Sequence, residues 1–214
     1  YCATCANGTD ALTIAMKVLD VKENDAVFVP SFTFYSTAEV VSLEGATPIF
    51  VDVDERTFNM DSKKLEKAIK QVIEEGKLNP KAIIPVDLFG QPADFPEIIK
   101  IAQKYNLKIV EDAAQGFGGS INGTKACSFG AISTTSFFPA KPLVCYGDGG
   151  AIFTDDEEMY KKILSIRVHG KGSYKYDNVR VGLNSRLDTI QAAILLPKLE
   201  AFKEYELENR NKFA

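Results

Sequence analysis

Histidine is almost missing from this chain: His169 stands alone among 214 residues. Cysteine is scarce as well, at four. Cys2 and Cys5 form one C-x-x-C, but Cys127 and Cys145 form no second one and His169 has no partner at ligand spacing, so a zinc site lacks half of its ligands. Four such cysteines read as reduced, partly buried thiols of a cytoplasmic protein. Long apolar runs are lacking too: no stretch approaches the roughly 20 residues that span a bilayer. The start, Tyr1-Cys-Ala-Thr-Cys5, has neither the basic region nor the apolar core of a secretion signal. Finally, 25 basic against 29 acidic residues give a net charge of −4, and no Lys/Arg run could track a phosphate backbone. That argues against nucleic acid as a partner and for small molecules.

What is present is the composition of an ordinary globular domain, 45% hydrophobic and 25% charged, at a length that suits one α/β domain over residues 1–214. Short apolar runs alternate with segments of helical period, the pattern of β-α units around a mostly parallel sheet. The runs 26–29, 47–51, 82–86, 108–111 and 132–137 predict strands. The segments 10–19, 35–44, 62–75 and 95–105 predict helices, the third opened by Asp61 as N-cap. Cys145-Tyr-Gly-Asp-Gly-Gly-Ala-Ile-Phe-Thr154 has the Asp-Gly chemistry of a hairpin running into a strand, so at least one strand is expected to be antiparallel. A helix over 156–168, an ordered Gly-rich loop over 169–182 and a helix over 186–196 follow, with Pro197 starting or kinking the next segment. The chain begins without Met in a strand and stops within a helical stretch, as a trimmed piece of a longer protein does.

In open α/β sheets, ligands sit beyond the carboxyl ends of strands and at the helix N-termini that face them. Four places qualify. Asn7-Gly8-Thr9 opens a helix whose free N–H groups suit a phosphate, although Asp10 is an awkward neighbour and a plain helix cap is the better reading of the motif taken alone. Asp112 ends the strand Lys-Ile-Val-Glu; Glu111 competes with it, but alternation lets only one of the two face a site. Lys141, in Ser136-Phe-Phe-Pro-Ala-Lys-Pro142, is framed by two prolines after an apolar strand. Most of the 20 lysines sit on polar helix faces, whereas one held by stiff backbone beside apolar groups can serve as an amine nucleophile. Asn184-Ser-Arg-Leu-Asp188 opens a helix with Asn184 or Ser185 as cap. Arg186, one of five arginines, is a natural bidentate partner for phosphate or carboxylate.

In this order and spacing, Ala6-Asn-Gly-Thr-Asp-Ala-Leu12, Pro30-Ser-Phe-Thr-Phe34, Glu111-Asp-Ala-Ala-Gln115, Ser136-Phe-Phe-Pro-Ala-Lys141, Gly147-Asp-Gly-Gly150 and Asn184-Ser-Arg-Leu-Asp-Thr-Ile-Gln-Ala-Ala193 resemble the DegT/StrS family of nucleotide-sugar aminotransferases that depend on pyridoxal 5'-phosphate. The resemblance runs through nearly the whole chain. It implies a three-layer α/β large domain of the aspartate aminotransferase type (fold type I), without the extra N-terminal helix and smaller C-terminal domain of family members.

It also implies roles. Lys141 would bind the cofactor covalently and shuttle a proton, and Asp112 would pair with the ring nitrogen. Gln115 would sit near the ring hydroxyl and Phe34 would stack on one ring face. Gly8, Thr9 and Ser136 would hold the phosphate, joined by Asn184 from the neighbouring subunit of a homodimer, so that active sites are shared. Arg186 is a further substrate candidate. The amino donor would be L-glutamate, leaving as 2-oxoglutarate, and the acceptor a nucleotide-linked keto-sugar for polysaccharide biosynthesis. The wording is closest to enzymes of UDP-3-keto-N-acetylhexuronic acids. Sugar dehydratases of the family carry histidine where this chain has Lys141, which favours transamination over dehydration; a regulatory relative that keeps the cofactor is the other alternative. His169, in the family segment Arg-Val-His-Gly, receives no chemical role.

Overall fold

The computed structural model describes residues 1–174 and 176–213. In chain order its strands are β1 (Cys2–Cys5), β2 (Asp25–Pro30), β3 (Thr47–Val51), β4 (Asn79–Ile83), β5 (Lys108–Asp112), β6 (Ser120–Ile121), β7 (Thr124–Lys125), β8 (Ile132–Ser136) and β9 (Gly150–Phe153). The helices are α1 (Gly8–Val18), α2 (Ser36–Leu43), α3 (Ser62–Glu75), α4 (Phe95–Lys104), α5 (Glu157–Ile166), α6 (Thr189–Ala201) and α7 (Leu207–Phe213). Seven strands form one sheet in the order β1-β9-β8-β5-β4-β2-β3. The pairs from β3 to β8 are parallel, whereas β9 runs antiparallel to both β8 and β1.

Alternation along the strands sorts side chains into two cores. Val27, Val29, Ile84 and Val110 face α1, α2 and α5, packing with Ile14, Met16, Val40 and Ile163. Phe28, Ile83 and Ile109 face α3 and α4, packing with Leu65, Ile69 and Ile98. Every residue of β2 and of β8 is buried, as parallel strands covered on both faces require. Each large side chain taken fully out of water contributes about 1.5–3 kcal/mol, so the two layers of helix hold the sheet as one body. Helix starts are fixed locally. Asn7 Oδ1 accepts the Asp10 N–H at 2.8 Å, Asp61 caps α3 through the N–H groups of Lys63 and Lys64, and Gly76 ends α3 in the left-handed region at φ 62°.

Four expectations change. The strand expected over 82–86 lies over 79–83: the Ile84 N–H still donates to the Phe28 carbonyl at 2.8 Å, but Pro85 has no N–H for the ladder, and an isolated bridge from Val86 to Asp112 follows. The Asp148-Gly149 turn is not a two-residue hairpin, because β8 and β9 are joined by residues 137–149, pinned by Phe137 N–H to the Gly149 carbonyl. The helix expected over 186–196 begins at Thr189 with Asp188 as N-cap and runs straight through Pro197; the irregularity comes later, as a π-helical turn over Phe202–Glu206. Ser185 caps nothing there. It is fully buried, and its Oγ accepts the Ala6 N–H at 3.0 Å, tying the chain before α6 to the entry of α1.

Candidate active site

The carboxyl ends of β5 and β8 and the N-terminus of α1 meet around a cavity of about 520 Å³. Its lining includes Gly8, Thr9, Phe34, Asp112, Gln115, Ser136 and Lys141, so seven of the nine residues singled out from sequence are brought together. Asn184 and Arg186 are not: both are exposed and stand outside the lining. A shallower concavity of about 580 Å³ runs along α6 between Tyr146, Ile190 and Tyr205, but it gathers none of these groups.

Asp112 forms the floor. Its Oδ2 accepts from Thr37 Oγ1 at 3.0 Å and its Oδ1 from the Ala114 N–H at 3.2 Å. Burial pushes its carboxyl above the usual carboxylate range, opposed by these two donors and by the positive charge of Lys141. A cationic N–H in the cavity would relieve that penalty. Glu111 points the other way, where its carboxylate accepts from the N–H groups of Cys127 and Phe129 and from Ser133 Oγ. The competition between the two acids is therefore settled by the pleat.

The opposite wall presents donors that an anion could use. The N–H groups of Gly8 and Thr9 lie in the first turn of α1, where no intrahelical acceptor exists, and the helix dipole adds positive potential. Ser136 ends β8, and Gly8 approaches it so closely that an added Cβ would stand 2.8 Å from the Ser136 Cβ. Asp10 lines the cavity as well, although its backbone N–H is taken by Asn7. Lys141 follows from a tight turn in which its N–H donates to the Phe138 carbonyl at 2.8 Å. Gln115 Oε1 accepts the Phe89 N–H at 3.0 Å, and Phe34 is 66% exposed on the rim, its ring open for stacking.

Sequence reasoning missed Thr33 and Thr37. Thr33 lines the cavity and its Oγ1 lies 3.2 Å from that of Thr37. Their spacing of four on the way into α2 was the available signal. His169 lies in the exposed loop with φ 57° and its carbonyl accepts from Asn178 Nδ2, away from the cavity. Cys2 and Cys5 are free thiols, and among the described residues no three His, Cys, Asp or Glu side chains gather as metal ligands.

The DegT/DnrJ/EryC1/StrS aminotransferase family matches residues 1–214. The chain belongs to this family. It is 53% identical over its whole length to the UDP-2-acetamido-2-deoxy-3-oxo-D-glucuronate aminotransferase of Pseudomonas aeruginosa, covering 57% of that protein. A crystal structure of a DegT DnrJ EryC1 StrS aminotransferase from Brucella abortus superposes with a TM-score of 0.94 at 54% identity, over 95% of this chain and 55% of that one. The structure of NtdA from Bacillus subtilis with bound cofactor PMP gives a TM-score of 0.84 at 37% identity, over 97% of this chain and 45% of that one. The chain thus spans about half the length of the curated relatives it matches. The fold and family read from the sequence are borne out.

Proposed function

We propose that the protein carrying this chain is a pyridoxal 5'-phosphate-dependent aminotransferase that passes nitrogen from L-glutamate to a nucleotide-linked keto-sugar. The observation that carries this reading is the convergence of a buried acid, an amine and an anion cradle on one cavity: Asp112, Lys141, and Gly8 with Thr9 and Ser136. Their chemistry fits the cofactor, and the cofactor named in the NtdA structure supports the choice. When bound, that cofactor supplies an electron sink for charge developing at the carbon that exchanges nitrogen.

The residues divide the work. Gly8 and Thr9 N–H groups and Ser136 Oγ would hold the phosphate, and Phe34 would cover one ring face. The Asp112 carboxylate, oriented by Thr37 Oγ1, would hold a proton on the ring nitrogen. Gln115 faces the ring hydroxyl. Lys141 Nζ would hold the cofactor and would move a proton to and from the substrate carbon. The cycle is ping-pong: glutamate leaves as 2-oxoglutarate, and the keto-sugar leaves as the amino-sugar. Arg186 is kept as a candidate for substrate contact.

The substrate we favour is a UDP-linked 3-keto-N-acetylhexuronic acid, on the identity to the P. aeruginosa aminotransferase. We further propose a homodimer in which Asn184 of a second copy completes the phosphate site, because Asn184 lies outside the cavity of its own chain. Four free thiols support a reducing, cytoplasmic setting. The test uses the full-length protein with glutamate and a panel of UDP- and dTDP-linked keto-sugars, read by the mass of the product. Amination of the UDP-3-keto-hexuronic acid, lost in Lys141→Ala, is expected. Water loss without nitrogen gain would indicate dehydration instead, and conversion of neither glutamate nor any sugar would overturn the reading.

A further inference from the structure

Behind Asp112 lie two acids that this chemistry does not use. Asp87 and Glu111 are both 0% exposed. Pairing of Val86 with Asp112 turns those two side chains to the cavity, where both line its wall. The alternation of extended backbone then sends Asp87 and Glu111 to the opposite face as diagonal neighbours. Glu111 has the donor set of an ionised carboxylate: Cys127 N–H at 2.7 Å, Phe129 N–H at 2.9 Å and Ser133 Oγ at 2.6 Å.

Asp87 does not. Its Oδ1 accepts the Ala93 N–H at 3.1 Å, but its Oδ2 is buried without a hydrogen-bond partner, alone in this among side-chain polar atoms of the described residues. Gly116 closes in on the same atom, since an added Cβ there would lie 2.5 Å from Asp87 Oδ2. Among the described residues neither acid has an ion-pair partner. Two ionised carboxylates so placed would repel each other and lose their hydration together. A proton on Asp87 Oδ2 removes both problems, turning the orphan acceptor into a donor toward Glu111.

We propose that Asp87 and Glu111 share one proton as a buried acid pair, and that this pair positions the end of β5 at Asp112 and the turn after it that carries Gln115. The connections are direct: the Asp87 N–H donates to the Asp112 carbonyl at 3.0 Å, and two residues on the Phe89 N–H donates to Gln115 Oε1. Burial, then the charge of Glu111, push the Asp87 carboxyl up to about 9, with Asp112 adding to the rise. The remaining titratable neighbour is the Cys127 thiol, which burial and the two acids hold well above its usual range. The pair stands whether or not the cavity takes the proposed cofactor.

Infrared spectra and melting curves of the full-length protein test this. At neutral pH the wild type should show a protonated-carboxyl C=O stretch with a component that is lost in Asp87→Asn and kept in Asp112→Asn. Because unfolded Asp87 gives up its proton at the ordinary carboxylate value near 4 while the native state keeps it to about 9, wild-type stability should fall as pH rises through that window. Asp87→Asn, whose amide donates to Glu111 at every pH, should lose that part of the slope. An unchanged carboxyl band, or equal slopes in the two proteins, would overturn the pair. Should Asp87→Asn not fold, Glu111→Gln gives a second reading: its amide can donate to Asp87 Oδ2 and let that acid ionise, so survival there of the full band, including the part that Asp112→Asn leaves in place, also overturns the proposal.

Discussion

Thr37 Oγ1 donates to Asp112 Oδ2 at 3.0 Å and lies 3.2 Å from Thr33 Oγ1. A hydroxyl has one hydrogen, so with Thr37 donating to the acid, Thr33 is the donor to Thr37. A short relay therefore runs from the cavity wall to the acid on its floor, through a side chain that is 0% exposed. Asp112 is held at both oxygens, one by this relay and one by the Ala114 N–H, before any ligand arrives.

Replacing Thr37 by valine keeps the shape and removes the donor. An acceptor already raised by burial then loses one of its two partners, a change of about 1–3 kcal/mol. Urea unfolding of Thr37→Val should show a loss of that size, with Thr37→Ser close to wild type. A valine variant as stable as wild type would mean that the relay contributes nothing.

Gly8→Ala addresses the anion cradle. A Cβ 2.8 Å from the Ser136 Cβ forces the first turn of α1 and the end of β8 apart, and neither is a flexible side-chain tip. Cofactor affinity, followed by absorbance as pyridoxal 5'-phosphate is titrated in, should fall by about tenfold or more, equivalent to ~1.4 kcal/mol. Inorganic phosphate should compete with the cofactor in the wild type and compete less well in the variant.

The sequence marks some of these residues plainly and others not at all. Alternation alone told Asp112 from Glu111 as a pair with one inward member, and strand-end logic put Asp112, Ser136 and Lys141 on one edge. The hairpin β6-β7 also has a plain signal, Asn122-Gly123 between Ser-Ile and Thr-Lys, with φ of 51° and 84°. Other features had none. Pro197 reads as a helix break, yet α6 runs through it, since a helix with no buried residue can leave one carbonyl to water. Asp87 carries no local mark of burial; only the docking of Gly116 and the bridge from Val86 to Asp112 place it beside Glu111.

Acid–base behaviour gives a third expectation. The folded carboxyl of Asp112 is raised by burial, so the cofactor-free native state keeps a proton that the unfolded chain releases near 4. Stability then falls as pH rises from that value up to the folded pKa, in addition to the slope assigned to Asp87. A ligand that brings a cationic N–H to Asp112 favours the ionised form and removes this part of the fall. Melting curves followed upward in pH from the ordinary carboxylate value near 4 should therefore be flatter with cofactor than without, and Asp112→Asn should be flatter without cofactor while binding it poorly.

The last expectation separates one chain from two. Asn184 is exposed, bridged through its backbone to Val168, and absent from its own chain's cavity, so its side chain is free to serve a site on a second copy. If it does, Lys141→Ala and Asn184→Ala chains should complement each other. In a hybrid dimer one site would carry both defects and the other neither, leaving about half the activity of a wild-type dimer, whereas each homodimer of mutant chains would have two damaged sites. If Asn184 instead acts within its own chain, every site in the hybrid carries one defect and no recovery is possible. Differentially tagged full-length chains, refolded together and purified as hybrids, distinguish the two arrangements in a single rate measurement. The arithmetic depends only on which chain supplies Asn184, not on the identity of the sugar.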